Sequence, residues 1–156
     1  MRFRIIIVVI AAFLAFQWVR HERAQRMPRD ENAEVTWTTD ALAALAKARS
    51  ENKMVLMNFT GSDWCGWCIK LDKEVFSTSA FAWYARENLV LLKVDFPRTR
   101  QLPASEALQN ETLARKYAIN GFPTLVVLRP DGTEKGRLGY VPGGPKAWLS
   151  ELKKLR

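Results

Sequence analysis

An α/β domain, built on one mixed β-sheet with helices on both faces, is the fold class this sequence predicts. Three observations carry that reading. Short apolar runs at Met54–Phe59, Leu89–Phe96 and Thr124–Arg129 read as buried strands. Stretches with helical apolar spacing separate them. An Asp131-Gly132 turn then leads into Thr133–Tyr140, which reads as the hairpin partner of the third strand. Strand, helix, strand, helix, hairpin and helix together imply a sheet that is part parallel and part antiparallel.

The elements follow in chain order. Arg2 and Arg4 precede an apolar run from Ile5 to Phe16, extended by Trp18 and Val19. Its length of about 15 residues suits an N-terminal apolar helix acting as a signal peptide or a short signal anchor. Retention as an anchor is preferred, because Phe16, Gln17 and Trp18 fill the place of a small-x-small cleavage site. Arg20, Arg23, Arg26 and Arg29 follow the run, so charge alone does not set its orientation. Residues 1–26 are read as this segment with its basic flank, residues 27–34 as a polar linker, and residues 35–156 as the folded domain.

Asp40 is placed to cap a helix through Glu51, with Leu42, Leu45 and Ala46 on one face. Thr60 to Asp63 reads as a turn, and Cys65 to Ser77 as a helix with Leu71, Val75 and Phe76 inward. Ser79 to Glu87 reads as a further helix. Ser105, with Leu108, Leu113 and Tyr117 downstream, marks a long helix ending near Asn120-Gly121. Pro142-Gly143-Gly144 precedes a closing helix, Lys146 to Leu155.

Composition narrows the function. The chain is 156 residues long, 48% hydrophobic and 26% charged, as expected of a globular domain with a short extension. The formal net charge of +8 is spread out, with no basic block interleaved with aromatics, so nucleic acid is not the expected partner. Two cysteines are too few for a small domain stapled by disulfides. Gly143-Gly144 has no following Lys-Ser/Thr and makes no phosphate loop.

The chemistry centres on Trp64-Cys65-Gly66-Trp67-Cys68. Two cysteines three apart can bridge at the first turn of a helix, where free N–H groups and the partial positive charge favour thiolate. In that position Cys65 is the more exposed and more acidic thiol, hence the nucleophile. Cys68, one turn in, would resolve the mixed disulfide. Two other readings compete. Half a zinc site lacks its other ligands, since the only histidine is His21. An inert structural disulfide gains little from so small a ring. In Gly121-Phe122-Pro123-Thr124, Pro123 either ends the helix behind it or is a cis proline facing the cysteines.

Trp64-Cys65-Gly66-Trp67-Cys68 together with Gly121-Phe122-Pro123-Thr124 resembles the thioredoxin superfamily, over roughly Val35 to Leu155. Phe59 to Phe76 is most similar to thioredoxin-like proteins of the bacterial envelope. The resemblance implies a thioredoxin fold in which Cys65 attacks, Cys68 resolves and cis-Pro123 lines a substrate groove. Trp64, Gly66, Trp67, Phe122 and Pro123 form the expected substrate-facing set. It further implies dithiol–disulfide exchange with protein disulfides, no cofactor beyond the cysteine pair, and a membrane or soluble thiol partner as electron donor. The implied location is periplasmic or otherwise extracytoplasmic, anchored or secreted. Reduction is the expected direction. An oxidase or isomerase, or a non-catalytic binding module, are the rivals.

The sequence departs from the family in three places. Gly66-Trp67 stands where thioredoxins commonly have Gly-Pro. Asn58 occupies the nearest position to their buried Asp, so proton transfer is expected to use water or another group. The region Phe96–Asn110 is longer than in a plain thioredoxin and either shapes partner choice or is a surface insertion. Asp63 is expected to be exposed and to carry no proton-transfer role. Trp64 either joins the docking surface or anchors the turn. Trp67 is expected to be exposed, and Lys70 to lie on a solvated helix face.

Overall fold

A computed structural model describes residues 35–155. Four strands form one sheet in the order β2-β1-β3-β4, where β1 is Met54–Thr60, β2 Leu89–Asp95, β3 Thr124–Leu128 and β4 Glu134–Leu138. β1 runs parallel to β2 and antiparallel to β3, and β3 pairs antiparallel with β4. The mixed sheet expected from the order of apolar runs is therefore present. β1 is central and buried along its whole length, which is why its sequence is a continuous apolar run rather than an alternating one.

Among the described residues, five α-helices flank the sheet: α1 Ala41–Glu51, α2 Gly66–Leu71, α3 Ser79–Asn88, α4 Ala104–Lys116 and α5 Gly144–Lys154. The period-two alternation of β1 sorts the core into two layers. Leu56, with Leu91 and Leu125, packs against Leu71, Phe81 and Trp148 from α2, α3 and α5. Val55, Met57 and Phe59 face Ala44 and Ala48 of α1, together with Leu113 of α4 and Tyr117 just after it. Helices thus cover both faces.

Trp148 is fully buried and donates its indole N–H to the Gly139 carbonyl at 3.0 Å, so its one polar atom is satisfied. Phe76, Phe81 and Trp37 pack around it or one another with ring centres 4.8–6.5 Å apart. Trp37 belongs to a short lead-in whose Thr38 pairs with Leu92 beside β2.

Several expectations are corrected. Asp40 does cap α1, accepting the Ala43 N–H at 2.9 Å. The buried face, however, is Ala41, Ala44 and Ala48. Leu42 and Ala46 are exposed, because small side chains let the helix lie close to the sheet. The helix expected over Cys65–Ser77 is α2 followed by a π-helical turn, Asp72–Phe76, although Leu71, Val75 and Phe76 are inward as expected. α4 stops at Lys116 rather than near Asn120, and Ala118 takes a left-handed backbone with φ of 48°. Leu108 is exposed. The N-terminal apolar segment and the linker lie outside the described residues. Among the described residues, no helix is long and apolar enough to cross a membrane.

Candidate active site

The site is built where β1 ends. After Thr60 the chain turns through Gly61, whose carbonyl accepts the N–H groups of Trp64 at 3.3 Å and Cys65 at 2.9 Å. Cys65 is the N-cap of α2, in extended conformation. Its Sγ accepts the Cys68 N–H at 3.2 Å, and its carbonyl accepts the Ile69 N–H at 3.0 Å. A sulfur therefore takes the place an N-cap oxygen usually fills, among the unpaired N–H groups of a first helical turn. Cys65 and Cys68 form a disulfide with Cα atoms 5.2 Å apart. The expected contrast in exposure is absent: both residues are buried, Cys65 at 7% and Cys68 at 5%. Their asymmetry lies in position, one capping the helix and the other inside it.

The Phe122–Pro123 peptide bond is cis. Thr124, the next residue, pairs with Phe59 across β1 and β3, so Pro123 sits at the same end of the sheet as the cysteine turn. Phe122 meets Trp64 edge-on, with ring centres 5.8 Å apart. Sequence-distant members of the expected substrate-facing set are thereby brought together.

Trp64 anchors the turn. Its indole N–H donates to the Phe96 carbonyl at 2.7 Å, and its ring lies directly over Gly61. A Cβ at Gly61 would fall 2.4 Å from the indole Cε2, so only glycine leaves room for this ring. Trp67 is 58% exposed, as expected, with Ile69 exposed beside it. Gly66 is exposed, and no atom lies within 4 Å of where its Cβ would stand.

Two flanking networks were not read from the sequence. On one side, the Asp63 carboxylate accepts the N–H groups of Arg98 and Thr99 and the Thr99 hydroxyl. These bonds, the hydroxyl's foremost, hold its pKa down to about 2. It is thus ionised throughout the neutral range. Next to it Asp95, 1% exposed, accepts the Ser62 N–H at 3.0 Å and hydroxyl at 2.6 Å, and pairs with Arg100 at 2.6 Å. Together these bonds fasten the Phe96–Arg100 loop to the cysteine turn. The one visible signal was an acidic residue closing the apolar run of β2.

On the other side, Trp67 lies 5.1 Å from the Tyr140 ring. The Lys70 ammonium stands 5.2 and 5.1 Å from the two ring centres. Tyr140 donates its hydroxyl to Glu74 at 2.6 Å, which raises the phenol's pKa. Glu74 lies in the π-helical turn. Lys70 is therefore engaged with two rings, not merely solvated as expected.

Asn58 is buried at 7%, and its Oδ1 has no hydrogen-bond partner among the described residues. The side chain cannot ionise.

The family profile for the thioredoxin-like domain matches residues 42–155. The chain belongs to the thioredoxin-like family. It is 36% identical over 121 residues to the disulfide bond reductase DsbH of Chlamydia pneumoniae, covering 78% of this chain and 72% of that protein. The solved structure of a DsbH oxidoreductase superposes with a TM-score of 0.74 at 34% identity, covering 78% of this chain and 84% of the other. A thioredoxin from Thermus thermophilus gives a TM-score of 0.61 at 26% identity, covering 78% and 87%. A thioredoxin-like domain with a bridged Cys-x-x-Cys pair at a helix start makes this chain a thiol–disulfide oxidoreductase. Its chemistry is carried by the two sulfurs and calls for no further cofactor.

Proposed function

We propose that the protein reduces disulfides of other proteins, with Cys65 attacking and Cys68 resolving. The Cys65 thiolate attacks one sulfur of the substrate disulfide, forming a mixed disulfide and expelling the first substrate thiolate. Cys68, deprotonated, then attacks Cys65 Sγ. The second substrate thiolate leaves, and the Cys65–Cys68 disulfide remains. Two electrons pass to the substrate, and a dithiol partner must restore them. The observation that carries this reading is the position of Cys65 as the N-cap of α2, bonded to Cys68 in a ring that can open and close.

Trp64, Gly66, Trp67, Phe122 and Pro123 form the surface that receives an extended substrate segment. The open space at Gly66 admits a substrate backbone, and exposed Trp67 offers an apolar face. The likeness to a DsbH reductase supports the reducing direction over the oxidase or isomerase reading.

Residues 1–26 hold the domain at the outer face of a membrane, and residues 27–34 tether it. The apolar run behind Arg2 and Arg4 supports this, as does the likeness to bacterial envelope proteins. The extracytoplasmic space is then the compartment, and the donor is a thiol protein reached there.

Insulin reduction by wild type and by Cys65→Ser tests the chemistry. Turnover by wild type alone is expected, and equal turnover by both would sink the proposal. N-terminal sequencing of the mature protein tests the anchor: Met1 should be retained with the membrane fraction.

A further inference from the structure

Arg98 places a cation over the Trp64 ring, and among the described residues its guanidinium makes no ion pair. Its guanidinium carbon lies 3.7 Å from the centre of the Trp64 ring, and Trp64 directly precedes Cys65. Its backbone N–H is held by Asp63 at 3.0 and 3.1 Å, which fixes where the side chain starts. Two other cations near the site are paired: Arg100 with Asp95 at 2.6 Å and, on the other side, Lys70 with Glu74 at 3.9 Å. Among the described residues, Arg98 makes no ion pair, and it is exposed.

We propose that Arg98 is a specificity-determining residue, selecting partner proteins that carry an Asp or Glu next to the reacting cysteine. This rests on Cys65 being the attacking thiol. Stacking on an indole removes water from one guanidinium face but leaves its edge N–H groups free, and that edge is what a carboxylate binds in bidentate fashion. The ordering cost is already met. Trp64 is locked by Gly61, the Phe96 carbonyl and Phe122, and the loop by Asp63 and Asp95. A carboxylate on the substrate thus meets a cation held on the ring of Trp64, the residue that precedes the attacking cysteine. The longer loop after β2 has a function on this account: it carries the reader.

The test compares two disulfide-linked peptides, identical except for Asp or Lys beside the cysteine. The readout is the ratio of their kcat/KM values. Wild type should favour the Asp peptide by about tenfold at low salt, falling as salt rises. Arg98→Gln should bring the ratio near one, and Arg98→Lys should keep part of it. Arg86→Gln is the control for net charge, since Arg86 lies in the last turn of α3, near the start of β2, whereas the site lies beyond the end of β1. It should leave the ratio unchanged. No preference in wild type, or an equal loss in Arg86→Gln and Arg98→Gln, overturns the proposal. Should wild type fail to reduce even neutral hydroxyethyl disulfide, the reductase reading falls and this one falls with it.

Discussion

Asp63 fastens Thr99 to the cysteine turn by accepting both its backbone N–H, at 2.7 Å, and its hydroxyl. The two residues are 36 apart in sequence, so the loop after β2 is held by the residue that precedes Trp64. The carboxylate's pKa of about 2 lies below the unfolded value of about 3.9. The clamp's stabilisation is therefore complete above the unfolded value and is lost as pH falls toward about 2. Denaturant unfolding of wild type and Asp63→Asn should show a gap at pH 7 that closes between pH 4 and 2. A constant gap across that range would mean that the carboxylate's charge contributes nothing.

Tyr140 and Glu74 behave oppositely. The phenol donates to the carboxylate and its pKa is raised, so the bond is intact below the unfolded phenol value of about 10 and fails as pH rises through the folded one. Tyr140→Phe should be less stable than wild type at pH 8, with the difference shrinking above pH 10. Its Trp67 emission should also shift, because the ring 5.1 Å away loses a tether. Unchanged stability and emission at pH 8 would show that the Glu74 bond holds nothing in place.

Gly61 precedes the motif and Gly66 lies within it, and the two tolerate alanine differently. Alanine at Gly61 meets the Trp64 indole at 2.4 Å and should cost about 1–3 kcal/mol, since the ring must leave the Phe96 carbonyl. Alanine at Gly66 meets nothing within 4 Å and should change stability by less than about 0.5 kcal/mol. If Gly66 lies against the substrate backbone as proposed, Gly66→Ala should still slow insulin reduction. Thermal unfolding separates the first effect, and the insulin assay the second.

These residues also show what a sequence displays and what it hides. β1, β2 and β3 were legible because strands buried on both faces are written as unbroken apolar runs. The Cys65–Cys68 pair was legible because its spacing and the strand before it are local. The inner face of α1 was misread, because Ala41, Ala44 and Ala48 do the packing and alanine carries little periodic signal beside Leu42. The bonds of Asp63 to Thr99 and of Tyr140 to Glu74 span 36 and 66 residues and follow no spacing rule. The π-helical turn was hidden for a related reason: Val75 and Phe76 in it face inward with Leu71 before it, as they would in a plain helix, so the pattern looks alike.

The resemblance to thioredoxins makes position 58 the one to test for a part in deprotonating the resolving thiol. Asn58 is buried, its Oδ1 has no partner among the described residues, and it cannot ionise. In wild type the pH dependence of insulin reduction should follow the two thiols alone. Asn58→Asp puts a carboxyl in the same low-dielectric place, where burial raises its pKa. The variant should therefore gain a further ionisation in its pH–rate profile, with activity rising as the new carboxylate forms. An unaltered profile in a folded Asn58→Asp would place position 58 outside the proton path.

The reduction potential of the Cys65–Cys68 couple decides the direction. Trp64 precedes the pair and Trp67 lies between its two cysteines, and exposed Trp67 should report its opening through fluorescence in a thiol redox buffer. A reductase requires a potential near about −270 mV, while oxidants and isomerases lie near about −120 to −180 mV. The lower value is expected here, and it would make the next question the donor that keeps the pair reduced. The higher value would reverse the electron flow but leave the attack by Cys65 and the resolution by Cys68 intact. Since about 30 mV corresponds to about 1.4 kcal/mol for a two-electron couple, the two outcomes differ by at least about 4 kcal/mol and cannot be confused.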